Sequence, residues 1–428
     1  MKTMLISGMP PGDGGVGEIL IEEMLGCDGI EPVSYAGLIT QEHFDKRQRQ
    51  HLTQQQCFVP PAEFARRNAP GWKGTITTIS DRLRRYEPAV RQLSRDVIDF
   101  VHQESPDQIW TILNSTVTID VAAAVRAATE VPMLVHIWDD PRDILMQRKL
   151  DRFTFARTLK RFDFLLRRAD RLGVICEPMA DAYAKKSQAS SVIIRHGIQD
   201  SVTPLSEPTS KDEFRIGISG SMYCYSAWKA FHRALDELDW RIGRKRIVLV
   251  VAGSDIRFRA FKPAECRFYG WRSVPEVMRI LTNCDALYLP HPFEPLQEPL
   301  ARLSFPTKLS TYAGTGRPVL LHAPHHSSLT GFSKKHGFGL LTHDLEPSRL
   351  AEFLRLNLGD QNVLNEQSDA TARIGSTILG RAQFERSTRE FLAPHDCFPV
   401  EPSREVSADA DFSSRAVSAS LPKVTHDE

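Results

Sequence analysis

The residue of this chain that is best placed to bind an anion is Lys308, which follows Thr307 in the first turn of a predicted helix. Pro306 suits that first turn, and the glycines that follow suit the end of the helix before a buried strand. Free backbone N–H groups and the positive end of the helix dipole attract phosphate, and a lysine adds a full charge. The stretch Phe305–Leu321 therefore predicts an anion site that includes Thr307 and Lys308.

A second candidate for phosphate contact follows the predicted strand Phe214–Ser219. Gly220 and Ser221 end the run Gly-Ile-Ser-Gly-Ser, and Lys229 lies in the helix after them. Small residues leave backbone N–H groups accessible, which is the arrangement of an anion nest. The run is also compatible with plain packing of a strand and a turn, and its last serine excludes the Gly-x-Ser-x-Gly nucleophile pattern.

The glycine-rich run Gly12–Gly17 matches G-x-G-x-x-G between a predicted strand and a predicted helix. It fits a dinucleotide site poorly, because Met-Pro-Pro separates it from the strand and the second strand lacks an acidic residue at its end. It also fails as a P-loop, since Glu18 stands where that motif requires lysine. Three interpretations of the run remain: a loop that approaches a ligand phosphate or the acceptor, a tight turn, or a site for NAD(P).

His136 and Asp139 stand at the end of the predicted strand Met133–Ile137. His136 can bond a sugar hydroxyl or a phosphate, while Asp139 and Asp140 can orient hydroxyls or accept a proton. The alternative is a buried, hydrogen-bonded histidine and an aspartate that caps a helix before Pro141. The aspartate pair alone is weak evidence for Mg²⁺.

Metal ligands are not predicted elsewhere. No carboxylate partner and no His-Glu-x-x-His spacing accompany the five histidines at 322, 325, 326, 336 and 343. The seven cysteines are scattered and contain no Cys-x-x-Cys, which argues against a disulfide framework or a zinc ribbon and favours a reducing cytoplasm. We therefore expect neither a metal nor another cofactor.

Short apolar strands alternate with amphipathic helices along most of the chain. In the first half we predict strands at Met4–Gly8, Gln108–Leu113, Met133–Ile137, Arg171–Cys176 and Ser191–Arg195, and helices at Glu18–Leu25 and Thr118–Ala128. The second half repeats the pattern, with strands at Phe214–Ser219, Arg246–Ala252, Arg267–Tyr269 and Ala286–Leu289, and helices at Ala227–Leu238, Val274–Thr282, Ser348–Leu358 and Ala370–Leu392. This alternation predicts an α/β fold with doubly wound parallel sheets.

The length of 428 residues predicts two to three domains. A polar segment with two prolines separates the two α/β halves, and we interpret 201–213 as the interdomain linker. We expect Rossmann-like domains at 1–200 and 214–375, with ligands bound in a cleft between them. Residues 376–395 are expected to return to the first domain as a helix, and 396–428 to be disordered.

Charge and hydropathy restrict the partners of the chain. A formal net charge of +1 gives no case for nucleic acid, and no apolar run approaches the roughly 18–20 residues of a membrane span. The segment 148–171 is basic and amphipathic, with nine Lys/Arg against three Asp. Such a helix either packs on a core with its charged face in water or is attracted to anionic lipid. We expect a cytoplasmic protein, with peripheral contact to the inner face of the membrane as the second interpretation.

Together these motifs resemble the GT-B glycosyltransferases, specifically the retaining group of glycosyltransferase family 4 (group 1). The likeness covers roughly residues 1–395. Its marks are Gly14-Gly-Val-Gly17, His196-Gly-Ile198, Ile218-Ser-Gly-Ser221, Phe268-Tyr-Gly270, Val274-Pro-Glu-Val277, Cys284-Asp-Ala286, Pro306-Thr-Lys-Leu309, Tyr312 and Gly316-Arg-Pro-Val319. The resemblance implies two facing Rossmann-like domains with a cleft between them.

The resemblance also implies transfer of a sugar from a nucleotide diphosphate sugar to an acceptor hydroxyl, with retention of configuration and without a metal. It assigns the acceptor side to His136 and Asp139. Catalytic stabilisation of the leaving diphosphate falls to Lys308, and donor contacts fall to Gly15, Val16, Gly220, Ser221, Lys229, Thr307, Lys308 and Thr311. The acceptor it implies is a carbohydrate or a lipid-linked carbohydrate, in cell-envelope or exopolysaccharide synthesis.

One departure from the family concerns ribose recognition. Thr311 stands where the family usually has a glutamate that contacts the ribose, and threonine cannot accept bonds from two hydroxyls in a bidentate way. This departure keeps a second interpretation open, a non-catalytic GT-B-like binding or partner protein. An NAD(P)-dependent enzyme that uses Gly12–Gly17 is the third.

Overall fold

A computed structural model describes residues 1–45, 51–62, 72–147, 150–197, 210–222, 224–253 and 265–394. The first half contains one sheet, whose strands are β1 (Thr3–Ser7), β2 (Val33–Gly37), β3 (Leu52–Cys57), β4 (Gln108–Ile112), β5 (Met133–His136), β6 (Arg171–Val174) and β7 (Ser190–Ile193). Their order is β3-β2-β1-β4-β5-β6-β7, and every neighbouring pair is parallel. The order reverses at β1, as in a doubly wound sheet.

Helices connect these strands and cover both faces of the sheet. They are α1 (Val16–Leu25), α2 (Gln41–Asp45), α3 (Trp72–Asp81), α4 (Glu87–Glu104), α5 (Thr116–Ala128), α6 (Pro141–Gln147), α7 (Arg152–Arg168) and α8 (Glu177–Ala184), with a π-helical turn at Arg82–Tyr86. Strands β1, β2, β4, β5 and β6 are buried along their whole length. Burial on both faces explains why their sequences are continuous apolar runs with no polar alternation.

The second half repeats this architecture. Its strands are β8 (Glu213–Ser219), β9 (Arg241–Ile242), β10 (Lys245–Ala252), β11 (Glu265–Gly270), β12 (Ala286–Pro290), β13 (Val319–His322) and β14 (Leu340–Thr342). The order is β11-β10-β8-β12-β13-β14, all parallel, and β9 pairs antiparallel with β10. Its helices are α9 (Tyr225–Glu237), α10 (Val274–Thr282), α11 (Glu298–Leu303), α12 (Lys308–Ala313), α13 (Ser328–His336), α14 (Pro347–Leu358) and α15 (Gln361–Ser376), with a 3-10 turn at Pro295–Gln297.

The end of the described chain corrects one sequence prediction. The predicted single helical segment Ala370–Leu392 is two helices, because the chain breaks after α15 and resumes as α16 (Arg381–Leu392). Gly380 precedes α16 in an extended conformation. The break lets α16 pack on the first sheet, where Phe391 is buried and its carbonyl oxygen accepts a hydrogen bond from Arg171 Nη1 at 2.8 Å.

The two halves pack directly against each other. One apolar cluster contains Cys176 and Met179 of the first half together with Leu303 and Phe305 of the second. The Cys176 thiol donates a hydrogen bond to the carbonyl oxygen of Leu303 at 3.3 Å. The Arg195 guanidinium lies 4.7 Å from the centre of the Phe305 ring, within the range of a cation–π contact. This contact region fixes the second sheet beside the first.

Several elements of the structure were not predicted from the sequence. Strand β3 is Leu-Thr-Gln-Gln-Gln-Cys at the edge of the first sheet and is largely exposed, so it lacks the apolar pattern of a buried strand. The helices α4 and α13 and the short strand β14 were also not predicted. The predicted linker 201–213 falls mostly outside the described residues, and the predicted tail 396–428 falls entirely outside them. Among the residues that the structure describes, every helix is either too short or too polar to span a bilayer.

Candidate functional site

Both glycine loops follow the strand at which the order of their sheet reverses. In the first sheet that strand is β1, which pairs with β2 and β4; in the second it is β8, which pairs with β10 and β12. The connections on the two sides leave in opposite directions, so a crevice opens at the carboxyl end of the strand. The predicted loops Gly12–Gly17 and Gly220–Ser221 therefore lie where doubly wound sheets bind ligands.

Lys308 extends over the loop that follows β8. Its Nζ atom donates a hydrogen bond to the carbonyl oxygen of Ser221 at 2.6 Å. Gly220 has a φ of +70°, and a Cβ atom there would lie 2.9 Å from Lys308 Cε. Glycine is thus required twice at this position, for the left-handed turn and for the close approach of the lysine stem.

The backbone N–H group of Gly220 is not available to donate a hydrogen bond to phosphate. Its N–H group donates to the carbonyl oxygen of Ala252 at 2.8 Å, so the group is already engaged. Gly253 lies close to Gly220, because a Cβ atom on Gly253 would be only 2.6 Å from the Gly220 nitrogen. Ser219 is held from the other side, because its N–H donates to the Tyr312 hydroxyl at 2.8 Å. Gly220 provides the shape of the loop, while Ser221 is exposed and accessible to a ligand.

The helix that carries Lys308 is shorter than predicted. It begins at Lys308, not at Pro306, and α12 has only six residues. Thr307 precedes it and is exposed, and Thr311 is half-buried on the same helix. A helix of this length contributes little dipole, so the charge of the lysine is the main attraction for an anion. Burial lowers the pKa of Lys308 to about 8, which leaves it mostly protonated at neutral pH.

Lys229 lies on the exposed face of α9, one turn after Tyr225. At the start of this helix, the N–H of Ser226 donates to the carboxylate of Glu294 at 2.9 Å. Burial raises the pKa of Glu294, but hydrogen bonds from the backbone of Ser226 and of the Phe293–Glu294 turn outweigh it, and the net shift is downward. The N-terminus of α9 is therefore already bonded to the Glu294 carboxylate, a contact that the sequence did not predict.

The glycine loop of the first half leads into α1. Gly15 is the residue before the first turn, and Val16 is 57% exposed. Within the described ranges, neither backbone N–H donates to another residue, whereas the N–H of Gly14 donates to the Glu18 carboxylate at 3.1 Å. Gly15 and Val16 can therefore offer N–H groups to a ligand.

His136 is wholly buried, so the structure does not place it where a substrate could touch it. Its Nε2 accepts a hydrogen bond from Trp138 Nε1 at 3.0 Å, and its ring packs 5.2 Å from that of Phe391. Burial lowers the pKa of His136 to about 3, so the ring is neutral. The half-buried Trp138 in turn approaches Gly17 so closely that a Cβ there would lie 2.7 Å from the indole. His136 positions Trp138 beside the glycine loop.

Asp139 and Asp140 have different surroundings. Asp140 is buried and accepts hydrogen bonds from Arg142 Nε at 2.7 Å and from the Tyr183 hydroxyl at 3.0 Å, so it is structural. Asp139 is exposed. The protein packed around its carboxyl, and then the negative charges of Asp143 and Asp140, raise the pKa of Asp139 to about 6. Of the pair, only Asp139 is available to a ligand.

A hydrogen-bonded chain connects α1, which follows the first glycine loop, to α12, which carries Lys308. Glu23 of α1 lies 2.8 Å from His196 Nε2, and the carbonyl oxygen of His196 accepts a bond from the Ser310 hydroxyl of α12 at 2.6 Å. Arg381 at the start of α16 also lies 3.6 Å from the Glu23 carboxylate. Sequence reasoning singled out His196 but found neither partner, because both are far away along the chain.

The histidines after β13 make contacts with the protein. His322 is buried, with Nδ1 2.9 Å from the Tyr288 hydroxyl and Nε2 2.7 Å from the carbonyl oxygen of Asp344. The rings of His325 and His343 lie 3.7 Å apart. In the part of the chain that the structure describes, no group of three His, Cys, Asp or Glu side chains could hold a metal ion.

The basic segment 148–171 contains α7. The helix buries Thr158, Phe162, Leu165 and Leu166. Two of its cations are engaged in ion pairs, Arg157 with Glu87 and Arg161 with Asp120. Part of the predicted basic face therefore packs α7 against α4 and α5, which is the first of the two interpretations given by the sequence.

No family model and no curated protein matches this sequence. Solved structures match along most of its length. Alr3699/HepE of Anabaena, in complex with UDP-glucose, has a TM-score of 0.58 and 16% identity over 91% of this chain and 99% of that chain. Sucrose-phosphate synthase of Thermosynechococcus elongatus has a TM-score of 0.60 and 13% identity, covering 91% and 97%. A trehalose 6-phosphate synthase of Burkholderia multivorans has a TM-score of 0.53 and 12% identity, covering 91% and 98%. These matches confirm the predicted GT-B fold.

Proposed function

We propose that this GT-B chain transfers a sugar from a nucleoside diphosphate sugar to an acceptor hydroxyl, with retention of anomeric configuration. The observation that carries the proposal is Lys308, held against the Gly220–Ser221 loop at the switch point of the second sheet. The UDP-glucose in the matched HepE structure supports a nucleotide-sugar donor. The names of the two synthases support a sugar both as the group that is transferred and as the acceptor.

In the proposed reaction, the bond between the anomeric carbon and the β-phosphate oxygen breaks, and its electron pair remains on that oxygen. We assign stabilisation of this negative charge to the Lys308 ammonium, which is held in position by Ser221, because a preorganised charge lowers the barrier more than mobile water does. The exposed Lys229 and the N–H groups of Gly15 and Val16 add to the stabilisation. The acceptor hydroxyl attacks the same face of the sugar, and its proton passes to the departing phosphate oxygen.

We place the acceptor beside Trp138 and Asp139. The half-buried indole offers an apolar face to a sugar ring, and the exposed carboxylate can accept a hydrogen bond from a hydroxyl. His136 contributes by fixing the indole and does not touch the substrate. This arrangement revises the predicted acceptor side, in which His136 contacted the sugar directly.

The proposal is tested by incubating the purified chain with mixed UDP- and GDP-sugars and a panel of carbohydrate acceptors. Mass spectrometry of the products identifies the sugar transferred, and the anomeric coupling constant by NMR reports retention or inversion. A second function, binding of the donor without transfer, is supported by Thr311, which cannot accept bonds from two ribose hydroxyls in a bidentate way. Saturable nucleotide-sugar binding with neither product nor released nucleotide would establish that function instead.

Activity is expected to rise with pH through about pH 6, to level off, and to fall again above about pH 8, where the Lys308 ammonium loses its proton. The pKa of Asp139 is raised to about 6, so below that pH the carboxyl is protonated and cannot accept the bond from the acceptor hydroxyl. The value of kcat/KM should fall about tenfold per pH unit on the acid side. Asp139→Asn should lower kcat/KM and remove this acid limb. A limb that persists in the variant would show that another group titrates.

We further propose that the acceptor is presented at a membrane surface, in cell-envelope or exopolysaccharide synthesis. Phe153 is 65% exposed, and Arg152 and Lys160 are exposed on the same helix. Cosedimentation with vesicles that contain 30% anionic lipid should decrease when salt rises from about 0.05 to 0.5 M, because counterions screen the attraction. Arg152→Ala with Lys160→Ala should weaken binding, whereas Arg355→Ala on α14 should not. Equal binding to neutral vesicles would contradict the electrostatic contact.

A further inference from the structure

A cavity of about 320 Å³ opens at the end of the second sheet that faces away from Lys308. We name it the basal cavity. Its walls come from the amino ends of β8, β12 and β13, represented by Phe214, Asp285 and Pro318, and from the β9–β10 turn. The proposed donor site lies at the carboxyl ends of the same strands, so the two sites are separated by the thickness of the domain. The volume is in the range of sites for small molecules.

Cations outnumber carboxylates in the lining of the basal cavity. Four basic side chains contribute to it, Lys211, Arg244, Lys245 and Arg317, against the single carboxylate of Asp285. That carboxylate is partly engaged, because its Oδ2 accepts a hydrogen bond from the N–H of Arg215 at 2.8 Å. The cavity is therefore electrostatically suited to an anion.

Arg317 is the least exposed of these cations, with 5% of its surface accessible. Its Nε donates to the carbonyl oxygen of Thr282 at 2.8 Å, which orients the guanidinium. Among the described residues, no hydrogen bond involves Nη1 or Nη2, although the residue lines the cavity. Burial lowers the pKa of Arg317, and the nearby Asp285 carboxylate offsets part of this effect. An anion in the cavity would supply the bonds that the two Nη groups lack.

The rest of the lining is apolar or amide. Phe214, Ile242, Leu358 and Leu364 provide an apolar wall, and the amides of Gln361 and Asn365 provide neutral hydrogen-bonding groups. We propose that the basal cavity binds a small phosphate ester, whose phosphate contacts Arg317, Arg244 and Lys245 and whose organic part packs on the apolar wall. This proposal does not depend on the transfer reaction.

The probes are inorganic phosphate, phenyl phosphate and benzyl alcohol, titrated into the full chain by calorimetry and by thermal unfolding. Phenyl phosphate should bind more tightly than inorganic phosphate, because the ring contacts the apolar wall, and it should raise Tm. Benzyl alcohol, which has no charge, should not bind measurably. Arg317→Met should weaken phenyl phosphate binding at least about tenfold, as expected for loss of a charged hydrogen-bonding partner.

Two further variants test the proposal without changing the buried Arg317. The double variant Arg244→Ala with Lys245→Ala lies at the rim, so it should fold and should also weaken binding. Arg355→Ala, exposed on α14 outside the cavity, should leave binding unchanged. Unchanged affinity in the double variant would overturn the proposal. Loss of phenyl phosphate binding in Lys308→Met would also overturn it, because the anion would then occupy the donor site.

Discussion

Replacing Lys308 by methionine is expected to reduce the rate of sugar transfer by at least about 100-fold, the loss typical when one preorganised group that stabilises developing charge is removed. Methionine keeps most of the apolar stem that packs over Gly220, so the fold should persist. The ammonium is held by the carbonyl oxygen of Ser221, and burial of the side chain lowers its pKa to about 8. Little reorganisation is then needed when the diphosphate departs.

The measurement is kcat and the nucleotide Kd of the purified variant, with circular dichroism to show that it is folded. Lys334→Met is the matched control, because that lysine is exposed in the last turn of α13 and lies outside the site. Lys229→Met should have a smaller effect than Lys308→Met, since its exposed side chain is screened by water. If Lys308→Met transfers sugar and binds nucleotide as the unmodified chain does, the assigned role is wrong.

Replacing Gly253 by alanine is expected to lower the free energy of unfolding by about 2–4 kcal/mol and to abolish transfer. Gly253 has a φ of +147°, which costs a residue with a side chain on the order of 1–3 kcal/mol. The new Cβ would also lie 2.6 Å from the nitrogen and 2.7 Å from the Cα of Gly220. Because these are backbone atoms, the loop itself must move, and it would displace Gly220 from Lys308.

Gly243→Ala is the matched control for this effect. Gly243 has a φ of +58°, but no atom lies within 4 Å of the position that its Cβ would take. Its substitution should cost only the conformational strain, about 1–2 kcal/mol, and leave transfer intact. Chemical denaturation of both variants gives the comparison. Equal losses of stability, with transfer kept in Gly253→Ala, would show that the contact with Gly220 is not needed.

The positions of the site loops could be predicted from local sequence. Gly220 and Ser221 directly follow a buried apolar strand, and parallel strands place such loops at one edge of the sheet. A helix that carries Lys308 before the next strand could also be predicted, from Pro306 and the glycines that follow, although the helix begins at Lys308 and not at Pro306. The comparison with solved structures confirmed the fold that these patterns imply.

The burial of His136 could not be predicted from local sequence. Its strand predicts a side chain near the carboxyl edge, but burial depends on the face that each residue presents and on what covers that face. Here α16 covers it with Phe391, a residue from the end of the described chain. A continuous apolar strand has no alternation that would reveal which face remains open.

The sequence by itself determined that this chain forms parallel α/β sheets with glycine loops after two of their strands and a lysine before a third. These features follow from short-range patterns of burial and turn geometry. Only the tertiary structure decided that Lys308 lies on Ser221, that Gly253 presses on Gly220, and that Ser310 is bonded to His196. Each of these contacts joins segments far apart along the chain, and packing of whole elements, rather than local preference, sets such distances.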